Sequence, residues 1–144
     1  MKRTKNNKRN ISFQIKGIEL LDFTLKQTHV QLPSKTVFNY HISIQHRINS
    51  EKKLVTVIVE IRILHEDKKT ILGTMKVGNI FSLENFDDIA IKNENNTILF
   101  PDKVVEALNN IAISTTRGVM FACFRGTLLH QAVLPVIDPK GLKK

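Results

Sequence analysis

Apolar and polar residues alternate through much of the first half of the chain. Ile11, Phe13 and Ile15 are separated by Ser12 and Gln14, the period of two that marks a half-buried strand. Gly17 interrupts the pattern, which resumes on the other parity through Leu21, Phe23 and Leu25; this predicts one long strand bent at a bulge. Pro33-Ser34 marks a crossover or loop. Phe38, Tyr40, Ile42 and Ile44 give a second strand, and Val55, Val57, Val59, Ile61 and Ile63 a third, rich in β-branched residues. Asn49-Ser50-Glu51-Lys52 between them is turn chemistry. After the charged connection Glu66-Asp67-Lys68-Lys69, residues Ile71, Met75 and Val77 open a fourth strand running towards Phe81 and Leu83. Strands joined by short polar links are most simply antiparallel.

The period changes after Phe86. Residues 87–96 are polar, with a loop expected at Asn93-Glu94-Asn95-Asn96. Phe100-Pro101-Asp102 then predicts a helix start, since proline suits the first turn and Asp102 and Glu106 complement its positive end. Val104, Val105, Leu108, Ile111 and Ala112 form an apolar stripe. Arg117-Gly118 offers a stop, while the apolar residues beyond it allow the helix to reach Phe124. Pro135 and Pro139 forbid a regular helix near the C-terminus. Strands first and helix last predict an α+β domain: a four-stranded antiparallel sheet followed by a long helix packed on one face. Ile58 and Leu64 fall among polar positions, so the other face is partly apolar, as partner surfaces are.

The 144 residues suit one domain. Cys123 is the one cysteine, which excludes an intrachain disulfide and fits a reducing, cytoplasmic setting. No apolar run reaches the ~18 residues of a membrane span, and the charged, alternating stretch after the basic start is not a signal-peptide core, so neither membrane insertion nor export of the chain is expected. Of the net charge of +9, five positive charges lie in residues 1–10 and three in 140–144, which leaves +1 for residues 11–139. Both basic ends read as tails, 1–10 as a disordered one, and a nearly neutral body argues against a nucleic-acid domain.

Enzyme chemistry finds little support. Cys123 sits among Phe121, Ala122 and Phe124, the setting of a buried, inert thiol. His41 and His46 fall on opposite faces of a strand, wrong for a shared metal, and His65-Glu66-Asp67 belongs to a solvated hairpin. Gly78-Asn79 lacks the further glycine and lysine of a phosphate loop. No catalytic site, metal or cofactor is expected.

Four short pieces then stand in a telling order: Phe13-Gln14-Ile15; Gly78-Asn79-Ile80-Phe81-Ser82-Leu83; Ile98-Leu99-Phe100-Pro101; and Arg125-Gly126-Thr127 ahead of Leu134-Pro135-Val136. In this order the chain, from about Ile11 to Asp138, resembles the SecB export chaperones. The resemblance implies a single SecB-like domain over residues 11–139 and a homotetramer built as a dimer of dimers. It also implies ATP-free binding of unfolded polypeptide in apolar grooves, with delivery to the translocase motor ATPase, or, in a branch of SecB-like proteins, protection of an antitoxin in a toxin–antitoxin system. Motor docking implies acidic residues on the outer sheet; Asp22 fits, whereas Lys26 and Thr74 occupy positions where carboxylates are implied. The family's second, C-terminal helix is not expected here, nor is the tryptophan of its crossover.

A holding surface must be broad, apolar and adaptable. The candidates for client binding are Phe38, Tyr40, Ile42 and Ile44 on the second strand, with Met120, Phe121, Phe124, Leu128 and Leu129 farther on. Val104, Val105, Leu108, Ile111 and Ala112 are candidates for an oligomer interface. The rival from another class is a nucleic-acid-associated protein acting through the basic tails.

Overall fold

The computed structural model describes residues 12–26, 37–95 and 97–137. The basic tails at 1–10 and 140–144 and the Pro33-Ser34 crossover lie outside the described residues. The elements are β1 (Phe13–Leu25), β2 (Asn39–Asn49), β3 (Leu54–Leu64), β4 (Ile71–Leu83), α1 (Phe86–Ile89), β5 (Ile91–Lys92), β6 (Ile98–Leu99) and α2 (Asp102–Phe124). The four long strands form one antiparallel sheet in the order β1-β4-β3-β2. Consecutive strands β1 and β2 therefore sit at opposite edges, with α2 across one face.

Strand parity sets the layers. Val55, Val57, Val59, Ile61 and Ile63 of β3 and Met75, Val77, Phe81 and Leu83 of β4 point towards α2 and are buried. Burying each such side chain stabilises the fold by about 1.5–3 kcal/mol. The bend in β1 is real and double: pairing with β4 slips between Ile15 and Gly17 and again between Leu20 and Asp22. Turn chemistry holds the hairpins. Asn49 Oδ1 accepts from the Lys52 amide at 3.1 Å. Asp67 accepts from the Lys69 and Thr70 amides at 2.9 and 2.8 Å and from the Thr70 hydroxyl. Those bonds hold the Asp67 carboxyl down at about 2.

Helix α2 runs through Gly118 to Phe124, the longer of the two expected lengths. Its buried stripe is Val104, Leu108, Ala112, Thr116, Met120 and Phe124, with Asn109 and Ile113 beside it. A mid-helix glycine costs about 1 kcal/mol, and burial of Met120 and Phe124 beyond it outweighs that. The stop comes at Arg125-Gly126-Thr127. Gly126 takes a φ of +78°, and the Thr127 hydroxyl donates to the last helical carbonyl, Phe124 O, at 2.7 Å. Residues 128–137 then return over the core without helix or strand, burying Leu129, Ala132 and Leu134. Two elements were not anticipated: the single turn α1 and the β5–β6 hairpin, both too short to show a period.

Candidate functional site

The helix crosses the sheet diagonally. Its N-terminal turns lie over the ends of β2 and β3, where Val105 and Leu108 face Ile48 and Val55. At the far end Phe124 reaches β1 and β4: its ring is 5.0 Å from that of Phe23, and it flanks Gly73. The diagonal leaves part of the β2 edge uncovered. Phe38, Tyr40, Ile42 and Ile48 there are half-buried, packed on the core from one side. Burial pushes the Tyr40 hydroxyl above its ordinary range, because the phenolate would lose water.

At the other end of β2, beside the start of α2, lies a groove of about 300 Å³, lined by His46, Ile48, Ile98, Leu99, Phe100 and Val105 among others. The local sequence builds it. Ile98 and Leu99 pair with Lys92 and Ile91, Phe100 turns in to pack edge-on against Phe86 at 5.4 Å, and Pro101 O accepts the Val104 and Val105 amides to start the helix. Leu99 stays exposed at the rim. His46 Nε2 and Asn109 Oδ1 are hydrogen-bonded at 2.7 Å. This pair ties α2 to β2 beside the groove and satisfies the buried Asn109. A second concavity, about 450 Å³ and shallow, lies past the helix end between Phe121, Arg125, Gly126, Thr127 and His130.

The candidate client residues separate into two kinds. Phe38, Tyr40 and Ile42 line the uncovered β2 strip, and Phe121 and Leu128 are exposed by the helix end. Ile44, Met120, Phe124 and Leu129 are instead in the core: Met120 and Phe124 lie on the buried stripe of α2, and Ile44, on the same face of β2 as Tyr40 and Ile42, is buried where they are only half-buried. Among the interface candidates, Val104, Leu108 and Ala112 are buried within the chain, and Val105 and Ile111 remain half-buried. Asp22 is exposed, but it lies opposite Lys76 in the β1–β4 register, so its surroundings are mixed in charge. Cys123 is half-buried.

Sequence reasoning missed two surfaces. One is the Ile98-Leu99-Phe100 wall with His46 and Ile48; its signal was an apolar run directly ahead of a helix start. The other is β1, an edge strand on which Ile15, Ile18, Leu20, Leu21, Phe23 and Leu25 are each 37–50% exposed. Among the described residues no cluster of His, Cys, Asp or Glu could hold a metal, and no helix is long and apolar enough to cross a membrane.

The architecture is that of SecB-like proteins: a four-stranded antiparallel sheet with a long helix on one face. The chain superimposes on a SecB-like chaperone of Mycobacterium tuberculosis, Rv1957, solved with a ChAD peptide from the Rv1956 HigA1 antitoxin. The match covers 87% of this chain and 89% of that one, with a TM-score of 0.58 and 10% identity. A protein of unknown function from Streptococcus agalactiae is also similar, over 79% of this chain and 88% of that one, with a TM-score of 0.41 and 8% identity. No protein-family model and no curated protein sequence matches the chain.

Proposed function

We propose that this protein is an ATP-independent chaperone that holds unfolded polypeptide in apolar grooves. The observation that carries the reading is the apolar groove at Ile48, Ile98, Leu99 and Phe100, with half-buried Phe38, Tyr40 and Ile42 farther along the β2 edge, on a SecB-like fold. A groove of apolar walls with few directed polar groups selects for exposed hydrophobic segments and not for one sequence. The client surface comprises Phe38, Tyr40, Ile42 and this wall, extended by Phe121 and Leu128. Capture is reversible and acts by keeping apolar segments from one another until the client is handed on. Assembly as a homotetramer fits the exposed apolar edge of β1, and Val105 and Ile111 are the stripe residues left for a neighbour. The working compartment is the cytoplasm.

Dedication to an antitoxin is the second reading, supported by the antitoxin peptide in the Mycobacterium tuberculosis structure. Delivery to a translocase motor is less favoured, since Lys76 opposes Asp22 and Lys26 is exposed nearby. The basic tails that would carry nucleic-acid binding lie outside the described residues; steep loss of binding with salt would reveal that mode.

The test is light-scattering mass after size exclusion, with and without a chemically unfolded polypeptide and with no nucleotide. Capture of the unfolded chain but not its folded form supports a general holding chaperone. An oligomer that captures nothing sinks general chaperoning and points to one dedicated partner.

A further inference from the structure

Residues 128–137 are held to the rest of the chain as a peptide is held. They contribute no strand or helix. Leu129, Ala132 and Leu134 fill apolar sockets, while Val133 and Val136 face solvent, Val136 at 94% exposure. The Leu129 socket exists because position 73 is glycine: a Cβ there would lie 2.7 Å from Leu129 Cδ1. Farther along, Arg117 uses its guanidinium as a fork on two consecutive carbonyls, Nε–H donating to Leu134 O at 2.7 Å and a terminal N–H to Pro135 O at 2.9 Å. Such a fork reads main chain only, so any extended segment could satisfy it. The segment itself, Ala132-Val133-Leu134-Pro135-Val136-Ile137, is an unbroken apolar run.

We infer that Arg117 and the Ala132 and Leu134 sockets form a binding site for extended apolar peptide, occupied in the resting chain by residues 132–137 as a displaceable self-ligand. The inference rests on the chaperone reading for the class of competitor, because the segment has the chemistry proposed for clients. Tethering gives such a segment an effective concentration on the order of millimolar, so a client must outcompete it or bind elsewhere first. Displacement would then extend the client surface beyond the β2 strip.

The probe is a fluorescent synthetic peptide with the sequence of residues 130–137 and charged solubilising ends, followed by anisotropy. Leu134→Asp, which places a carboxylate at a buried position of the segment and so disfavours its docking, is expected to bind the probe at least tenfold more tightly than the parent. Adding Arg117→Ala should abolish that gain. A folded Leu134→Asp chain with no gain overturns the inference. Should that variant lose its fold, hydrogen exchange on the parent decides. The Ala132 amide, which donates to Leu129 O at 2.9 Å, is expected to exchange at least a hundredfold faster than amides of β3. Equal protection would show that the segment opens only with the whole fold, and would overturn the inference. The outcomes separate from those of the chaperone reading: peptide binding by Leu134→Asp without capture of unfolded protein sinks only the latter, and the reverse sinks only the former.

Discussion

Two glycines separate local conformation from packing. Gly73 lies on β4 facing the helix end, and an added Cβ would meet Leu129 Cδ1 at 2.7 Å, Thr24 O at 3.0 Å and Phe124 Cζ at 3.3 Å. The backbone oxygen cannot yield, and Leu129 and Phe124 are buried, so Gly73→Ala overpacks the site. Its expected cost is about 1–3 kcal/mol. Gly118 is exposed on α2 with nothing within 4 Å of the same added atom, so Gly118→Ala should stabilise by about 0.5–1 kcal/mol. Urea unfolding of both variants checks the pair, and a neutral Gly73→Ala would show that the strand end and residues 128–137 are more loosely packed than they look. Position 73 was not legible in the sequence, because its constraint comes from a residue more than fifty positions away. Gly118 was legible as a helix breaker and misled in part, since the burial that carries the helix past it is tertiary.

At the scale of elements, α2 is joined to the sheet by apolar contact and by the hydrogen bond between His46 and Asn109. Removing one partner of a buried pair leaves the other unsatisfied, at a cost of about 1–3 kcal/mol. His46→Ala should therefore destabilise by that amount, and the cycle with Asn109→Ala should show a coupling of about 1 kcal/mol. Additive effects in that cycle, read from urea unfolding, would mean that the pair does not hold the helix. The four strands, their turns and the helix stripe were legible because each repeats a period long enough to count. Ile58, on the parity opposite Val57 and Val59 yet buried, already hinted at an apolar outer face. The candidate client surface was only half legible. Phe38, Tyr40 and Ile42 follow from β2 alternation, but the Ile98-Leu99-Phe100 wall depends on a two-residue hairpin and on where the helix crosses. Met120 and Phe124 were read as adaptable surface; periodicity identifies an apolar stripe without saying what covers it.

For the whole molecule, the decisive feature is that the two edges of the sheet differ. Edge strand β2 is partly shielded, whereas β1 presents six large apolar side chains, each 37–50% exposed, along thirteen residues. An edge of this length and polarity would recruit other strands indiscriminately unless it were joined to something. The assembly proposed above supplies that partner as a second copy of the chain, and the prediction follows directly. Ile18→Lys with Leu20→Lys places two charges on the edge at positions that are each half exposed. The double variant should elute at a smaller light-scattering mass than the parent, with unchanged far-UV dichroism. It should also keep capturing unfolded polypeptide if the β2 strip is the holding surface, because that strip lies across the sheet. Equal masses for parent and variant would detach β1 from assembly. Loss of capture together with loss of mass would instead make the edge, or the oligomer it builds, part of the client site, and the β2 groove alone would no longer suffice.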